Sequence, residues 1–134
     1  MLRIGVIGYG YWGPNIVRNF NTANGSEVVM VCDMNQQSLK KVKKAYPGVR
    51  VTTDTAELIR DPDVDAVAIA TPVFTHHELA KSALLAGKSV FVEKPFTHTV
   101  AEGEELIELA EKKKLKLMVD HTFLYTGAVR KIRQ

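Results

Sequence analysis

Apolar runs alternate with segments of helical period along most of the chain. The first run, Leu2–Ile7, is too continuous for a half-exposed strand, which favours a strand covered on both faces of a sheet. Further strand-like runs are Glu27–Cys32, Val49–Thr52, Val64–Ala70, Ser89–Val92 and Leu115–Val119. Runs of this kind separated by helices indicate βαβ units. The sequence therefore predicts an α/β fold with a doubly wound, mostly parallel sheet.

Helical patterns with defined ends lie between these runs. Pro14 begins the first helix, at a first-turn position where its missing N–H costs no hydrogen bond. The other predicted helices are Gln36–Ala45, a short one from the cap Asp54 to Ile59, Thr75–Ala86 with Gly87 as its left-handed cap, and Ala101–Lys114. The last helix has an apolar stripe that predicts its packing on the sheet, formed by Leu106, Ile107, Leu109 and Ala110.

Length and composition indicate one soluble domain. The chain has 134 residues, of which 46% are hydrophobic and 25% are charged, as in ordinary globular proteins. Its apolar runs are far shorter than the roughly 20 residues that a membrane span requires, so we expect no membrane segment. The one cysteine, Cys32, excludes an intramolecular disulfide and favours a reducing compartment, which we expect to be the cytoplasm.

The net charge of +3 does not by itself predict a nucleic-acid partner. The lysines cluster at Lys40–Lys44 and Lys112–Lys116, on a predicted helix or at its C-terminal end. Lysines in these places face solvent and complement the helix dipole. Because no aromatic or arginine-rich motif accompanies them, we expect no nucleic-acid binding.

A G-x-G-x-x-G pattern joins the first strand to the first helix. Gly8 permits the tight turn, Gly10 lets the backbone approach a pyrophosphate, and Gly13 lets the helix pack on the strand. The N–H groups from Tyr11 to Gly13 and the helix dipole favour an anion at this point. A glycine-rich turn without a ligand is the alternative. Trp12 either covers a cofactor or packs under the helix, and packing is the favoured interpretation.

Asp33 turns this pattern into a prediction of NAD binding. It ends the second strand 25 residues after Gly8, where a carboxylate accepts hydrogen bonds from both hydroxyls of the adenosine ribose. The carboxylate would repel a 2′-phosphate, and the neighbouring Met34 and Asn35 offer no arginine to hold one. We therefore expect NAD in preference to NADP. The alternative is that Asp33 only forms the turn or caps the next helix.

Polar residues also follow the fourth and fifth strands. Thr71 and Pro72 come after one, and Glu93 and Lys94 end the other. Ligands of doubly wound sheets lie outside the carboxyl ends of the strands, so these residues are expected at the cofactor crevice. A lysine in this place can transfer a proton or orient a carbonyl group. An exposed loop lysine is the alternative.

Adjacent histidines begin the helix after the fourth strand. His76 and His77 are interpreted as one packed and one solvent-facing residue rather than a metal pair, since no further ligand cluster has the spacing of a metal site. We therefore expect no metal ion. His98 also begins a helix and is expected at the surface.

Together these motifs resemble the Gfo/Idh/MocA family, named for glucose–fructose oxidoreductase and inositol dehydrogenase. The resemblance covers essentially the whole chain, and its most specific element is Glu93-Lys94-Pro95. The other matching elements are Gly8–Gly13, Asp33, Ala70-Thr71-Pro72 with His76, Leu85–Lys88 and His121-Thr122-Phe123.

The resemblance implies an NAD(P)-dependent oxidation of a secondary hydroxyl on a sugar, a nucleotide sugar or a polyol. In the family, the lysine matched by Lys94 lies beside the substrate and the nicotinamide, and the glutamate matched by Glu93 contacts the cofactor. Thr71, Pro72, His76 and His121 carry over as cofactor-site residues. The stretch after Asp120 looks most like members that act on nucleotide-linked or acetamido sugars.

Family members are more than twice as long and contain a second α/β domain with the partner of the lysine. We therefore expect residues 1–120 to form a Rossmann domain and residues 121–134 to begin a helix toward a domain absent from the chain. Such a chain binds NAD without turnover, and its uncovered apolar surface favours a homo-oligomer. The alternative functions are a non-catalytic nicotinamide sensor and an oligomerisation module.

Overall fold

A computed structural model describes residues 1–120, which contain six strands and five helices of one α/β unit. The strands are β1 (Leu2–Ile7), β2 (Ser26–Cys32), β3 (Arg50–Thr52), β4 (Ala66–Ile69), β5 (Ser89–Glu93) and β6 (Leu117–Asp120). They form one sheet in the order β3-β2-β1-β4-β5-β6, and every neighbouring pair is parallel. This is the strand order of dinucleotide-binding Rossmann folds, and it confirms the predicted fold class.

The helices cover both faces of the sheet. They are α1 (Gly13–Thr22), α2 (Gln36–Ala45), α3 (Thr55–Arg60), α4 (His76–Leu85) and α5 (Val100–Lys113). One buried cluster joins α1 and α2 to β1, β2 and β4 through side chains such as Val17, Val42 and Val31. The other joins α3, α4 and α5 to the opposite face through Leu58, Leu84 and Leu106. Both faces of β1 and β4 are therefore covered, as their continuous apolar runs predict. None of the described helices has the length and apolarity to span a membrane.

Two predicted strand starts are wrong by two residues, each for a local reason. β4 begins at Ala66 rather than Val64, because the Val64 N–H donates to Asp61 in a turn and the Asp65 carboxylate accepts from the N–H of Arg3 at 2.8 Å. β6 begins at Leu117 rather than Leu115, because the Leu115 N–H closes the C-terminus of α5 by donating to the carbonyl oxygen of Ala110.

The predicted apolar stripe of α5 is only partly buried. Leu106 and Ala110 lie in the core, whereas 48% of Ile107 is exposed. Adjacent helix positions differ by about 100° around the axis, so Ile107 points away from the face that Leu106 buries. The helix that residues 121–134 are predicted to begin lies outside the described residues.

Cys32 is buried at the carboxyl end of β2. Burial, assisted by the Asp33 carboxylate, raises the pKa of the Cys32 thiol from 9.0 to about 11. Because the unfolded thiol ionises first, the stability that neutral Cys32 contributes is complete below about pH 9 and is lost as the pH approaches about 11.

We therefore expect the difference in unfolding free energy between the wild type and Cys32→Ala to shrink between about pH 8 and about pH 10.5. Urea unfolding of the two proteins in matched buffers measures this difference. The variant controls for every other group that titrates in this range. A difference independent of pH would show that the buried thiol has an ordinary pKa.

Candidate functional site

The turn after β1 is held against both neighbouring strands. Gly8 has φ +100°, and a side chain there would place its Cβ 2.8 Å from the carbonyl oxygen of Ala70 at the end of β4. On the other side, the Gly8 N–H donates to the carbonyl oxygen of Cys32 at 2.8 Å. Both the backbone conformation and the packing therefore require glycine at this position.

Gly13 and Gly10 differ in what surrounds them. A Cβ on Gly13 would collide with the carbonyl oxygen of Gly8, so this glycine lets α1 start directly over the turn. A Cβ on Gly10 would meet nothing within 4 Å, and Gly10 has no left-handed φ. Nothing in the described fold requires glycine at position 10, and the space in front of its backbone is open to a ligand.

The N-terminus of α1 has no acidic or capping side chain. Trp12 is the N-cap residue, it makes no side-chain capping bond, and Pro14 follows in the first turn. By contrast, Asn35, Asp54 and Thr99 cap α2, α3 and α5 through side-chain oxygens. The backbone N–H groups and positive dipole end of α1 therefore lie beside the open space at Gly10, an arrangement that stabilises a bound phosphate.

Asp33 connects the ends of β1 and β2. Its Oδ2 accepts a hydrogen bond of 2.7 Å from the N–H of Tyr9, and its Oδ1 accepts one of 2.7 Å from the N–H of Asn35. The turn-forming role is therefore present. Since a carboxylate offers about four lone-pair sites, two backbone donors leave acceptor capacity for the hydroxyls of a ribose.

A cleft of about 800 Å³ opens between the carboxyl ends of β1, β2 and β4. The predicted residues that line it are Gly8, Gly10, Asp33, Thr71 and Pro72. Among the residues that line it, the charged ones are Asp33 and Glu78. The cleft therefore has acidic side chains beside the glycine turn. It lies where the strand order reverses, which is where ligands of doubly wound sheets bind.

Several residues of the cleft were not predicted from the sequence. Met34 follows Asp33, Thr55 begins α3, and Glu78 and Leu79 belong to the first turn of α4. Only the adjacency of Met34 to Asp33 is a sequence signal. The other three are brought to the cleft by the packing of α3 against α4, which a local pattern does not report.

His76 lies behind the wall of the cleft rather than in it. Its side chain is 1% exposed, Nε2 lies 2.7 Å from the carbonyl oxygen of Thr71, and Nδ1 lies 2.9 Å from that of Pro95. Its polar atoms face the chain's own backbone, which agrees with the interpretation of one packed histidine in the pair, and its role at the cofactor stays a prediction. His77 is partly buried, with Nε2 3.3 Å from the Glu105 carboxylate of α5.

Glu93 and Lys94 stand at the carboxyl end of β5. Glu93 is 7% exposed within the sheet edge, and Lys94 is exposed and precedes Pro95 through a cis peptide bond. In the parallel pair of β4 and β5, Ile69 lies opposite Val92. Thr71 and Lys94 each come two residues later, so both lie at the carboxyl edge of the sheet. Of the predicted residues, His121 lies outside the described part of the chain.

Tyr11 and Trp12 are exposed beside the glycine turn. Half of Trp12 and 85% of Tyr11 are accessible to solvent, and the two rings contact edge to face with centroids 5.1 Å apart. The interpretation that Trp12 packs under α1 is therefore wrong, because half of the side chain is exposed and its ring contacts Tyr11.

Comparison with known proteins identifies relatives of this site. The model of an oxidoreductase family with an NAD-binding Rossmann fold matches residues 2–121. An uncharacterised oxidoreductase of Escherichia coli, YdgJ, is 38% identical over 120 residues, covering 90% of this chain and 34% of the relative. An inositol 2-dehydrogenase of Acidothermus cellulolyticus is 40% identical over 112 residues, covering 83% of this chain and 33% of the relative.

A solved structure from Synechocystis has the same fold as this chain. It is a biliverdin reductase in complex with biliverdin and NADP⁺, with a TM-score of 0.89 and 34% sequence identity, and the match covers 99% of this chain and 42% of that one. The chain thus spans about a third of the length of the curated relatives named above.

The two central glycines should respond differently to alanine. Gly13→Ala is expected to lower the unfolding free energy by about 1–3 kcal/mol, because the new methyl group overpacks against Gly8. Gly10→Ala should change it by less than about 0.5 kcal/mol and weaken dinucleotide binding about tenfold, because the methyl group occupies ligand space. Thermal unfolding and calorimetric titration distinguish the two effects.

Gly48→Ala is the matched control, because a Cβ there also meets nothing within 4 Å and Gly48 lies outside the cleft. It should leave binding unchanged. Wild-type affinity in Gly10→Ala would show that the space at this turn is not used by the ligand.

Proposed function

The chain belongs to the Gfo/Idh/MocA family of oxidoreductases with an NAD-binding Rossmann fold, and on that basis we propose that its cleft binds NAD in preference to NADP. The observation that carries this proposal is the position of Asp33 between the glycine turn and the cleft. The ADP part of the dinucleotide extends from the Asp33 carboxylate to the N-terminus of α1, with its pyrophosphate against Gly10 and the N–H groups from Tyr11 to Gly13.

The charges around the cleft support NAD over NADP. A 2′-phosphate on the adenosine ribose would lie beside Asp33, and the second charged residue that lines the cleft, Glu78, is also acidic. Repulsion between like charges this close disfavours the phosphate. The related biliverdin reductase was solved with NADP⁺, so the shared fold does not by itself favour NAD, and the acidic side chains are what support the proposal.

The catalytic part of the proposal concerns Lys94. We infer that the full-length protein oxidises a secondary hydroxyl of a sugar, a nucleotide sugar or a polyol, a class represented among the relatives by inositol 2-dehydrogenase. Bound NAD supplies the hydride acceptor. Lys94 stands exposed at the sheet edge that the nicotinamide half would reach, where its amino group orients the substrate hydroxyl or moves its proton. Glu93 and Trp12 complete the cofactor contacts.

Residues 1–120 are proposed to hold the cofactor without turning over a substrate. Within the described residues, Lys94 is the one group proposed to transfer a proton beside the nicotinamide. General acid–base catalysis also needs a second group that helps to position the substrate. The free thiol of Cys32 supports a reducing, cytoplasmic location.

Asp33→Asn tests the cofactor proposal. Loss of the charge should weaken NAD binding about tenfold, the effect of losing one charge-assisted hydrogen bond. It should weaken NADP binding less, because the repulsion of the 2′-phosphate is also removed. The ratio of the two dissociation constants, measured by calorimetric titration, should therefore move toward NADP.

The ratio separates charge recognition from the support that Asp33 gives to the turn. A looser turn weakens both dinucleotides equally and leaves the ratio unchanged. Asp63→Asn is the matched control, since it makes the same change beside Arg3 and Arg50, away from the cleft residues, and should alter neither affinity. Tighter wild-type binding of NADP than of NAD would contradict the proposal.

The chain should also bind NAD without reducing it. With NAD and myo-inositol present, we expect no increase in absorbance at about 340 nm above a protein-free blank, because one lysine does not position and deprotonate the hydroxyl unaided. The same samples should show NAD binding by calorimetry. Turnover in this assay would show that a complete active site lies within the 134 residues.

A further inference from the structure

His76 joins the loops that follow two neighbouring strands. Its Nε2 lies 2.7 Å from the carbonyl oxygen of Thr71, after β4, and its Nδ1 lies 2.9 Å from that of Pro95 and 3.2 Å from that of Phe96, after β5. The side chain is 1% exposed. A buried imidazole thus spans the gap between the two loops.

The segment on the β4 side is further fixed by threonine hydroxyls. The Oγ1 atoms of Thr71 and Thr75 lie 2.6 Å apart, and Thr75 Oγ1 also lies 2.6 Å from the carbonyl oxygen of Pro72. Thr71, Pro72 and Thr75 all line the cleft. Their backbone is therefore tied into one small network, and the imidazole connects that network to the loop that begins with Lys94.

We propose that His76 is a positioning residue, which holds the cleft wall at Thr71 and the Lys94 loop in one fixed relation so that both contact the nicotinamide half of NAD. This inference rests on the proposed function. None of the hydrogen bonds of the ring goes to Asp33 or to the glycine turn. The ADP half of the cofactor is therefore recognised by residues that His76 does not touch.

The shape of imidazole explains why the link depends on this side chain. Its two ring nitrogens lie on different sides of a rigid ring, so each reaches a carbonyl oxygen of a different loop. A glutamine or asparagine side chain carries both N–H donors on one nitrogen at the end of a rotatable chain, so it does not hold the two loops at the fixed separation that the rigid ring sets. Loss of the ring removes the partner of a part-buried carbonyl oxygen, which favours a shift of that loop.

The test compares two ligands that differ only in the nicotinamide ring. His76→Gln should weaken NAD binding about fivefold more than it weakens ADP-ribose binding. This difference corresponds to the loss of about one hydrogen bond, and it affects only the ligand that carries nicotinamide. Calorimetric titrations of both ligands give the four dissociation constants. Thermal unfolding shows that the comparison is made on folded protein. A role in folding alone would lower the melting temperature and change both affinities equally.

His77→Gln is the matched control, because this neighbour on α4 faces the Glu105 carboxylate and not the two loops. It should leave the ratio of NAD to ADP-ribose affinity at the wild-type value. An equal loss for both ligands in His76→Gln, or no loss, would overturn the proposal. If His76→Gln does not fold, His76→Asn is titrated in its place, and failure of both to fold would assign His76 to stability alone.

The proposed function and this inference fail in different ways. Wild-type protein that binds neither NAD nor ADP-ribose would refute the NAD site itself. Wild-type protein that binds both, together with a variant that shows no difference between them, would refute only the role of His76.

Discussion

The turn after β1 has no room for a side chain at Gly8 or Gly13, and the position of the cleft depends on this constraint. β1 lies between β2 and β4 at the centre of the sheet. Gly8 packs against the carbonyl group of Ala70 and donates to that of Cys32, so the turn is fixed relative to both neighbours. Because α1 then begins directly above Gly8, its positive end is directed at the open space beside Gly10.

The same edge of the sheet receives the polar residues of three further strands. Asp33 is bonded to the turn through the N–H of Tyr9, and Thr71 is bonded through His76 to the loop that carries Lys94. Each connection runs between loops at the ends of adjacent strands, and each uses a side chain to satisfy backbone groups of another loop. The cofactor site is thus a set of loops fixed to one another, with the recognition of ADP on one side and the proposed chemistry on the other.

The sequence predicts the features of this arrangement that depend on neighbouring residues, and it does not predict those that depend on distant ones. Gly8, Gly13 and Asp33 stand at fixed distances from strand ends, so pattern and spacing were sufficient to predict the fold and the main cleft residues. The position of Thr55 and Glu78 depends on how α3 packs against α4, and no local pattern encodes that.

The environments of His76, Trp12 and Ile107 depend on packing that no local pattern encodes. A histidine at the start of a helix can face a crevice or the backbone behind it, and the choice depends on the β5 loop, which is 19 residues away in sequence. Trp12 and Ile107 are apolar residues that the backbone directs outward. For Ile107 this follows from its position around the axis of α5.

The most direct test of the account is to map NAD binding on the backbone amides of the ¹⁵N-labelled chain. The account predicts that the largest shift changes occur at Gly8–Gly13, Asp33–Asn35 and Thr71–Thr75, at the carboxyl edge of the sheet. The amides of Arg3, Arg50 and Asp63 should be unaffected. An absence of changes at saturating NAD, or changes centred on these last three residues, would contradict the claim that this edge is a nicotinamide-dinucleotide site.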